Sequence, residues 1–476
     1  MDDQHTGDLH YLSALELRQL YLRRELSPVE VTAAILARIE RLNPHLNAFL
    51  TITAERAMGE ARAAERAYAG ADAATLPPLT GIPLSIKDNQ PTKGIRTTHG
   101  SLLTKDAIPD HDGLLVSRIY AAGAILLGKT NLPEDGWKGG SSNRLGPPAQ
   151  NPWRAGYTTG GSSAGAAAAV ATGLGPIAQG GDGAGSIRIP AGFCGVFGIK
   201  PSFGLIPYPV ASAATTAHVG PLTRTVRDAA LFLDSVVGAD PRDRFSFNGE
   251  ASYLAACNGD IAGLRIAWSP DLGYAAIDPE VRELTARAAA RFADLGCHVE
   301  EVDPGLPDPW DILDTMWSAS QAAYYFDNFD AVRDQLDPGR LPIIERGFSL
   351  SAAALARAQA ERTTYHEAVC AFMERYDLLI TPQLPITAFP ADRDAPTAIA
   401  GRPVSYLGWS AFTYPFNLTG QPAATVPCGF ASDGLPVALQ LVGRWHDDAT
   451  VLRAAAAYEA LAPWAQRPPV EALGAQ

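Results

Sequence analysis

Residues 158–181 carry no charged side chain. A stretch of that length is sufficient to span a bilayer, but Gly160, Gly161, Gly165, Gly173, Gly175 and Pro176 interrupt it and its apolar residues are mostly alanine. A small-residue helix between two glycine loops, buried inside a globular body, fits better. Burying it requires a large core, which 476 residues with 47% hydrophobic and 19% charged side chains supply; the same composition excludes general disorder.

Periodicity indicates what surrounds that helix. Ser27-Pro28-Val29-Glu30 predicts an N-cap, a proline at the first helical position and a capping-box glutamate, followed by Val31, Ile35, Ile39 and Leu42 on one face. Thr225 and Asp228 open a second helix carrying Val226, Ala229, Ala230, Leu233 and Val237, stopped by Gly238. Segments 264–268 and 297–302 are strand-like, and Asp278-Pro279 caps a helix between them that runs to about Leu295 ahead of Gly296. Strand, helix and strand predict a βαβ unit in a sheet with parallel neighbours. The fold class is α/β, read as one domain over 1–476, with lobes or loops at 240–260 and 303–350, which lack clear periodicity.

Several function classes are excluded. The net charge of -13, from 38 basic and 51 acidic residues, and the absence of a basic run argue against nucleic acid or an anionic membrane as partner. Met1-Asp2-Asp3-Gln4-His5 lacks the basic and apolar regions of a secretory leader, so a cytoplasmic location is expected. The five cysteines are widely spaced and never form C-x-x-C, which indicates neither a disulfide framework nor a metal site.

The chemistry concentrates in two loops. Thr158-Thr159-Gly160-Gly161-Ser162-Ser163-Ala164-Gly165 precedes the alanine-rich helix, and Gly180-Gly181-Asp182-Gly183-Ala184-Gly185-Ser186-Ile187-Arg188-Ile189-Pro190 follows it. Glycine lets consecutive N–H groups converge on one point, as an oxyanion site requires. Glycine-serine loops also merely cover helix ends, and a phosphate cradle would need G-x-x-x-x-G-K-[ST], which is absent. A serine nucleophile needs a base. The nine histidines are scattered; His99 and His218 are candidate pocket residues, with ordinary structural residues the plainer reading, and no G-x-S-x-G elbow occurs. Lysine is the other option. Lys87 ends the apolar run Gly81-Ile82-Pro83-Leu84-Ser85-Ile86, where desolvation would favour the neutral amine; a lysine snorkelling from a strand end is the plainer reading. All six lysines fall within the first 200 residues, which tilts Lys87 towards a role arginine cannot fill.

Lys87, the Gly160-to-Gly165 loop and Gly185-Ser186-Ile187-Arg188-Ile189-Pro190-Ala191-Gly192-Phe193-Cys194-Gly195 together resemble the amidase signature family. The likeness extends over nearly the whole chain, through Asn417-Leu418-Thr419-Gly420-Gln421-Pro422 and the 433–443 segment, and is weakest over 240–400. It implies an amidase-signature fold with a mixed central β-sheet covered by helices on both faces, and no metal or organic cofactor. It also implies a Ser-Ser-Lys triad in which Ser186 attacks the carbonyl, Ser162 relays its proton and neutral Lys87 receives it. An oxyanion hole would come from the N–H groups of Gly183, Ala184, Gly185 and Ser186, with Ser163 and Asp182 supporting them. Arg188 and Lys200 would anchor the loop. Where many members have Asp-Thr-Gly-Gly-Ser, this chain has Ala184 in the oxyanion loop, which is strained if its φ must be positive; Gly183 is expected to supply the lost freedom. Thr159 stands where proline is common.

The expected activity is hydrolysis of small neutral amides, whether linear amides or anilides, and also of carbamates (urethanes) and esters, through an acyl-enzyme. The partner is a small-molecule amide or carbamate, and self-association into a homo-oligomer is compatible with the sequence. The alternatives are a glutaminase subunit of an aminoacyl-tRNA amidotransferase, against which the apolar Ile189 speaks, and a non-catalytic binding protein, against which three filled triad positions speak. Trp137, Trp317, Trp409, Tyr414 and Phe416 are candidates for an apolar pocket or for core.

Overall fold

The computed structural model describes residues 9–70, 72–209, 215–464 and 466–470. The acidic start on which the leader argument rests lies outside them. Thirteen strands are described: β1 Phe49–Ile52, β2 Pro83–Lys87, β3 Ile125–Thr130, β4 Ile177–Asp182, β5 Phe197–Lys200, β6 His218–Thr223, β7 Arg265–Trp268, β8 His298–Glu301, β9 Leu378–Pro382, β10 Ala398–Ile399, β11 Arg402–Pro403, β12 Ala423–Phe430 and β13 Pro436–Gly443. Strands β10 and β11 pair only with each other, while the other eleven form one sheet in the order β1-β3-β2-β4-β6-β5-β12-β13-β9-β7-β8. The sheet is mixed: β2 runs parallel to β3 and β4, β7 runs parallel to β8 and β9, and the remaining pairs are antiparallel.

Successive strand residues point to opposite faces, and both faces are covered. In β9, Leu378 and Ile380 join one large apolar cluster with Val31, Ile35 and Ile39 of the helix Pro28–Leu46. Leu379 between them joins another with Leu313 and Met316 of the helix Trp310–Ala323. The predicted caps are present: the Ser27 side chain and Glu30 close a capping box, and Thr225 accepts from Asp228 N–H at the start of Val226–Val236. The predicted βαβ unit is β7, the helix Pro279–Ala290 and β8.

The uncharged segment becomes a loop, the helix Ala164–Ala171 and the central strand β4. All eight helix residues are buried, as expected of a helix that is apolar all round. Gly165 shows why the residues are small: a Cβ there would sit 2.0 Å from the Ala48 carbonyl oxygen. No helix of the described residues is long and apolar enough to cross a membrane. Within 303–350 the chain is largely helical, with Trp310–Ala323 and Leu341–Ser349. Its periodicity is masked because Asp314, Ser318, Ser320 and Gln321 are buried beside Leu313 and Met316.

Candidate active site

Parallel pairing of β2 with β4 brings their carboxyl ends side by side, the usual place for a site in such sheets. Lys87 is the last residue of β2 and Asp182 the last of β4. The loop before Ala164–Ala171 delivers Ser162, and the turn between β4 and the helix Arg188–Cys194 delivers Ser186. One cavity is lined by Lys87, Ser162 and Ser186 together with Asp182 and Gly183.

Lys87 is fully enclosed, and its Nζ lies 2.7 Å from Ser162 Oγ. Burial lowers its pKa to about 7, against the raising effect of Asp182. At neutral pH much of the amine is uncharged and can accept the Ser162 proton. Asp88 does not oppose this. It turns away to accept from the Thr98 N–H at 2.8 Å and from the Thr98 hydroxyl, 3.9 Å from Lys129 Nζ. Ser186 lines the same cavity, but its Oγ has no hydrogen-bond partner among the described residues. Of the two links in a Ser186–Ser162–Lys87 relay, only the second is made here; such contacts commonly tighten when substrate binds.

The two loops are tied by backbone and by Ser163. The Ser163 N–H donates to the Ser186 carbonyl at 3.0 Å, and the Ser163 hydroxyl donates to Gly181 O and accepts from Gly181 N, both at 3.1 Å. Asp182 organises the turn. It accepts from the N–H groups of Gly185 at 2.7 Å and Ile187 at 3.2 Å, from Asn417 Nδ2 at 2.8 Å, and from both sides of the Arg188 guanidinium at 3.0 Å. Burial pushes its carboxyl up, but Arg188, Asn417 and Lys200 more than offset this and hold it well below the usual carboxylate range. Arg188 also reaches Thr413 O, Gln440 and Asn417. The Lys200 ammonium, whose pKa burial and Arg188 depress strongly, donates to Gln421 O. Arg188 thus ties the turn to the segments carrying Thr413, Asn417 and Gln440, whereas the hydrogen bonds of Lys200 go to Pro201 O and Gln421 O, outside the loop.

The oxyanion-loop expectation needs correction at two places. Gly185, not Gly183, has the positive φ, at 130°, and Ala184 lies outside the left-handed region. A Cβ on Gly185 would also meet Thr413 Oγ1 at 2.5 Å, and that hydroxyl donates to Ala184 O at 2.7 Å. The Gly185 N–H is committed to Asp182, whereas those of Gly183, Ala184 and Ser186 have no partner among the described residues.

Of the five candidate aromatic residues, Trp317 lines the cavity, along with Tyr208 and Tyr324, which local pattern did not single out. A Cβ on Gly183 would lie 3.1 Å from the Trp317 ring. Trp137, Trp409, Tyr414 and Phe416 are buried in core. Ile189 is core as well, packed with Phe193 and Trp409, so its apolarity carries no information about substrate. His218 does line the cavity. Its Nδ1 is 2.6 Å from Thr216 O, which can only accept, so the ring proton sits there. Burial and Lys200 hold the ring neutral. His99 instead pairs with Asp135 at 3.3 Å.

The Amidase family profile matches residues 30–452. The chain is 40% identical over 476 residues to an acylamidase of Rhodococcus erythropolis, covering 98% of each. It is 37% identical over 489 residues to a glutamyl-tRNA(Gln) amidotransferase subunit of Moorella thermoacetica, covering 97% of this chain and 99% of the relative. Among solved structures, a bacterial aryl acylamidase of the amidase signature family aligns with a TM-score of 0.92 at 31% identity, over 98% of this chain and 99% of that one. The 6-aminohexanoate cyclic dimer hydrolase in complex with its substrate aligns at 0.86 and 31%, over 97% and 99%. A mixed sheet flanked by helices, with these relatives, defines an enzyme that hydrolyses amide bonds. The chain belongs to the amidase signature family.

Proposed function

We propose that the enzyme cleaves small neutral amides through Ser186, Ser162 and Lys87. The observation that carries this is the 2.7 Å approach of a buried Lys87 amine, its pKa lowered to about 7, to Ser162 in the cavity that holds Ser186. Ser186 Oγ attacks the carbonyl carbon while its proton passes to Ser162 Oγ and the Ser162 proton passes to Lys87 Nζ. The oxygen that becomes negative is stabilised by the N–H groups of Gly183, Ala184 and Ser186, with Gly185 shaping the turn. Return of the proton through Ser162 to the departing nitrogen releases the amine and leaves an acyl group on Ser186, which water removes by the same relay.

The chemistry extends to any planar carbonyl with a suitable leaving group. Esters follow the same path, and a carbamate attacked at its carbonyl would give an acyl-enzyme whose hydrolysis releases carbon dioxide. The proposed setting is cytoplasmic, with the chain acting as a single domain over 1–476 and without a partner protein. The second reading, a glutaminase subunit, is favoured by the amidotransferase relative. A hydrolysis screen of the isolated chain on anilides, linear amides, carbamates, esters and glutamine decides between them. Anilide turnover by the chain alone is expected; glutaminase activity appearing only with added subunits would reverse the order.

A further inference from the structure

The cavity that holds the two serines has a second polar wall, contributed by Asp135 and Gln321. Both are held by one fully buried guanidinium, that of Arg340. Its Nε donates to Gln321 Oε1 at 2.7 Å and its Nη1 donates to Asp135 Oδ2 at 2.7 Å. The Tyr325 hydroxyl accepts from the same Nη1 at 2.8 Å and donates to Asp135 Oδ2 at 3.0 Å.

A guanidinium can only donate, so the Gln321 carboxamide has one admissible orientation, with oxygen towards Arg340 and NH2 away from it. Gln321 is only 4% exposed, yet its Nε2 has no hydrogen-bond partner among the described residues and is not sealed in the core. The donor is therefore presented to the cavity. Asp135 is ionised: burial pushes its carboxyl up, but Arg340 and His99 more than offset this and hold it well below the usual range. One wall thus offers a fixed N–H donor beside a fixed anionic acceptor.

We propose that Gln321 and Asp135 bind a second, uncharged amide or urethane group of the substrate, Gln321 Nε2 donating to its carbonyl oxygen and Asp135 accepting from its N–H, with Arg340 as a positioning residue. This rests on the reading that cleavage occurs at Ser186. A carboxylate in that place meets the Asp135 charge, and a hydrocarbon leaves the Gln321 N–H unpaired, so selectivity falls on substrates carrying two amide-type groups.

The test uses three 4-nitroanilides of matched length whose acyl chains end in a secondary amide, a hydrocarbon or a carboxylate. Release of 4-nitroaniline gives kcat/KM, and calorimetry on the Ser186→Ala protein gives Kd without turnover. The amide-ended compound is expected to be preferred. Gln321→Met is expected to lower the ratio of amide-ended to hydrocarbon-ended kcat/KM about tenfold, mainly through KM, as loss of one neutral hydrogen bond implies. Arg340→Lys is expected to lower the same ratio; should that variant fail to fold, Gln321→Met decides alone. An unchanged ratio in Gln321→Met, or a carboxylate-ended compound bound as tightly as the amide-ended one, overturns the proposal. Selective binding without turnover in the unmodified enzyme would support the subsite and overturn the Ser186 reading instead.

Discussion

Replacing Lys87 tests the base directly. The ordinary lysine value is 10.5, and burial lowers it here to about 7, which corresponds to ~5 kcal/mol of discrimination against the ammonium. Other titratable groups at the cavity do not share this window: Asp135 and Asp182 are held well below it, His218 is kept neutral, and burial raises Tyr208 and Tyr324. The kcat/KM for an anilide should therefore rise about tenfold per pH unit below about 7 and flatten above it, as the amine becomes able to take the Ser162 proton. Lys87→Met removes the base, and Lys87→Arg retains a charge that cannot be lost. Each should cost ~10²–10⁴ in amide turnover, with a smaller loss on activated esters, whose leaving groups need no proton.

Stability should also rise with pH, but in a higher window. Between pH 7 and 10.5 the unfolded chain holds a proton on Lys87 that the folded chain lacks. This residue's destabilising effect is therefore complete below pH 7 and fades as pH rises to 10.5. In urea denaturation, Lys87→Met should be at least as stable as the parent at pH 7 and should lose that pH-dependent component. An inflection of kcat/KM near pH 10 instead of near 7, or near-normal anilide hydrolysis by Lys87→Arg, would refute the reasoning.

Ser186→Ala should abolish the fluorophosphonate adduct, seen by mass spectrometry as a single modification at Ser186 in the parent, and should change stability by no more than about 0.5 kcal/mol, because it opens almost no cavity. Gly185→Ala places a side chain at φ 130° and against Thr413; a loss of ~1–3 kcal/mol in thermal unfolding, with a fall in kcat, is expected, and an unaltered enzyme would show that the turn tolerates a Cβ. Ser163→Ala removes both side-chain bonds to the buried Gly181 backbone groups, so denaturation should show a loss of ~1–3 kcal/mol. Asp182→Asn leaves the Arg188 guanidinium buried without its anion, for which ~3–5 kcal/mol and poor soluble expression are expected; a normal melting profile would contradict the anchoring role.

The parts of the site carried by short contiguous patterns were legible in the sequence. Glycine loops flanking an uncharged helix draw attention to both serines, and an apolar run ending in lysine to Lys87, because these features reflect local backbone freedom and burial; the local pattern left plainer readings open, and only the resemblance to the amidase signature family joined the three residues. Which glycine of the oxyanion loop takes the positive φ was not legible, since the choice of Gly185 over Gly183 is tied to Asp182 and Thr413, which lie before and far after it. The helix Trp310–Ala323 was hidden because its inward residues include Asp314, Ser320 and Gln321, chosen for partners rather than apolarity. The second wall was equally hidden. Asp135 and Gln321 meet only through Arg340, and no periodicity links a loop beside β3 to the far side of the 303–350 segment.

Relatives named for acyl amides and for glutamine lie close in identity, at 40% and 37%, so overall similarity does not discriminate between the two readings. Cavity charge does. Free glutamine brings an α-ammonium, which Asp135 suits, and an α-carboxylate that needs a cation, and a buried carboxylate without one is strongly disfavoured. Among the described lining residues the only lysine or arginine is Lys87, which must be neutral to act as base. His218 is uncharged, and the Arg340 Nε and Nη1 groups are taken by Gln321, Asp135 and Tyr325, while its Nη2 is buried away from the cavity surface. Turnover of glutamine would therefore require Lys87 to serve as counter-ion and base at once, and these roles need opposite protonation states. The same cavity accepts an uncharged acyl amide without this conflict, which places the free-standing amidase reading ahead on physical grounds.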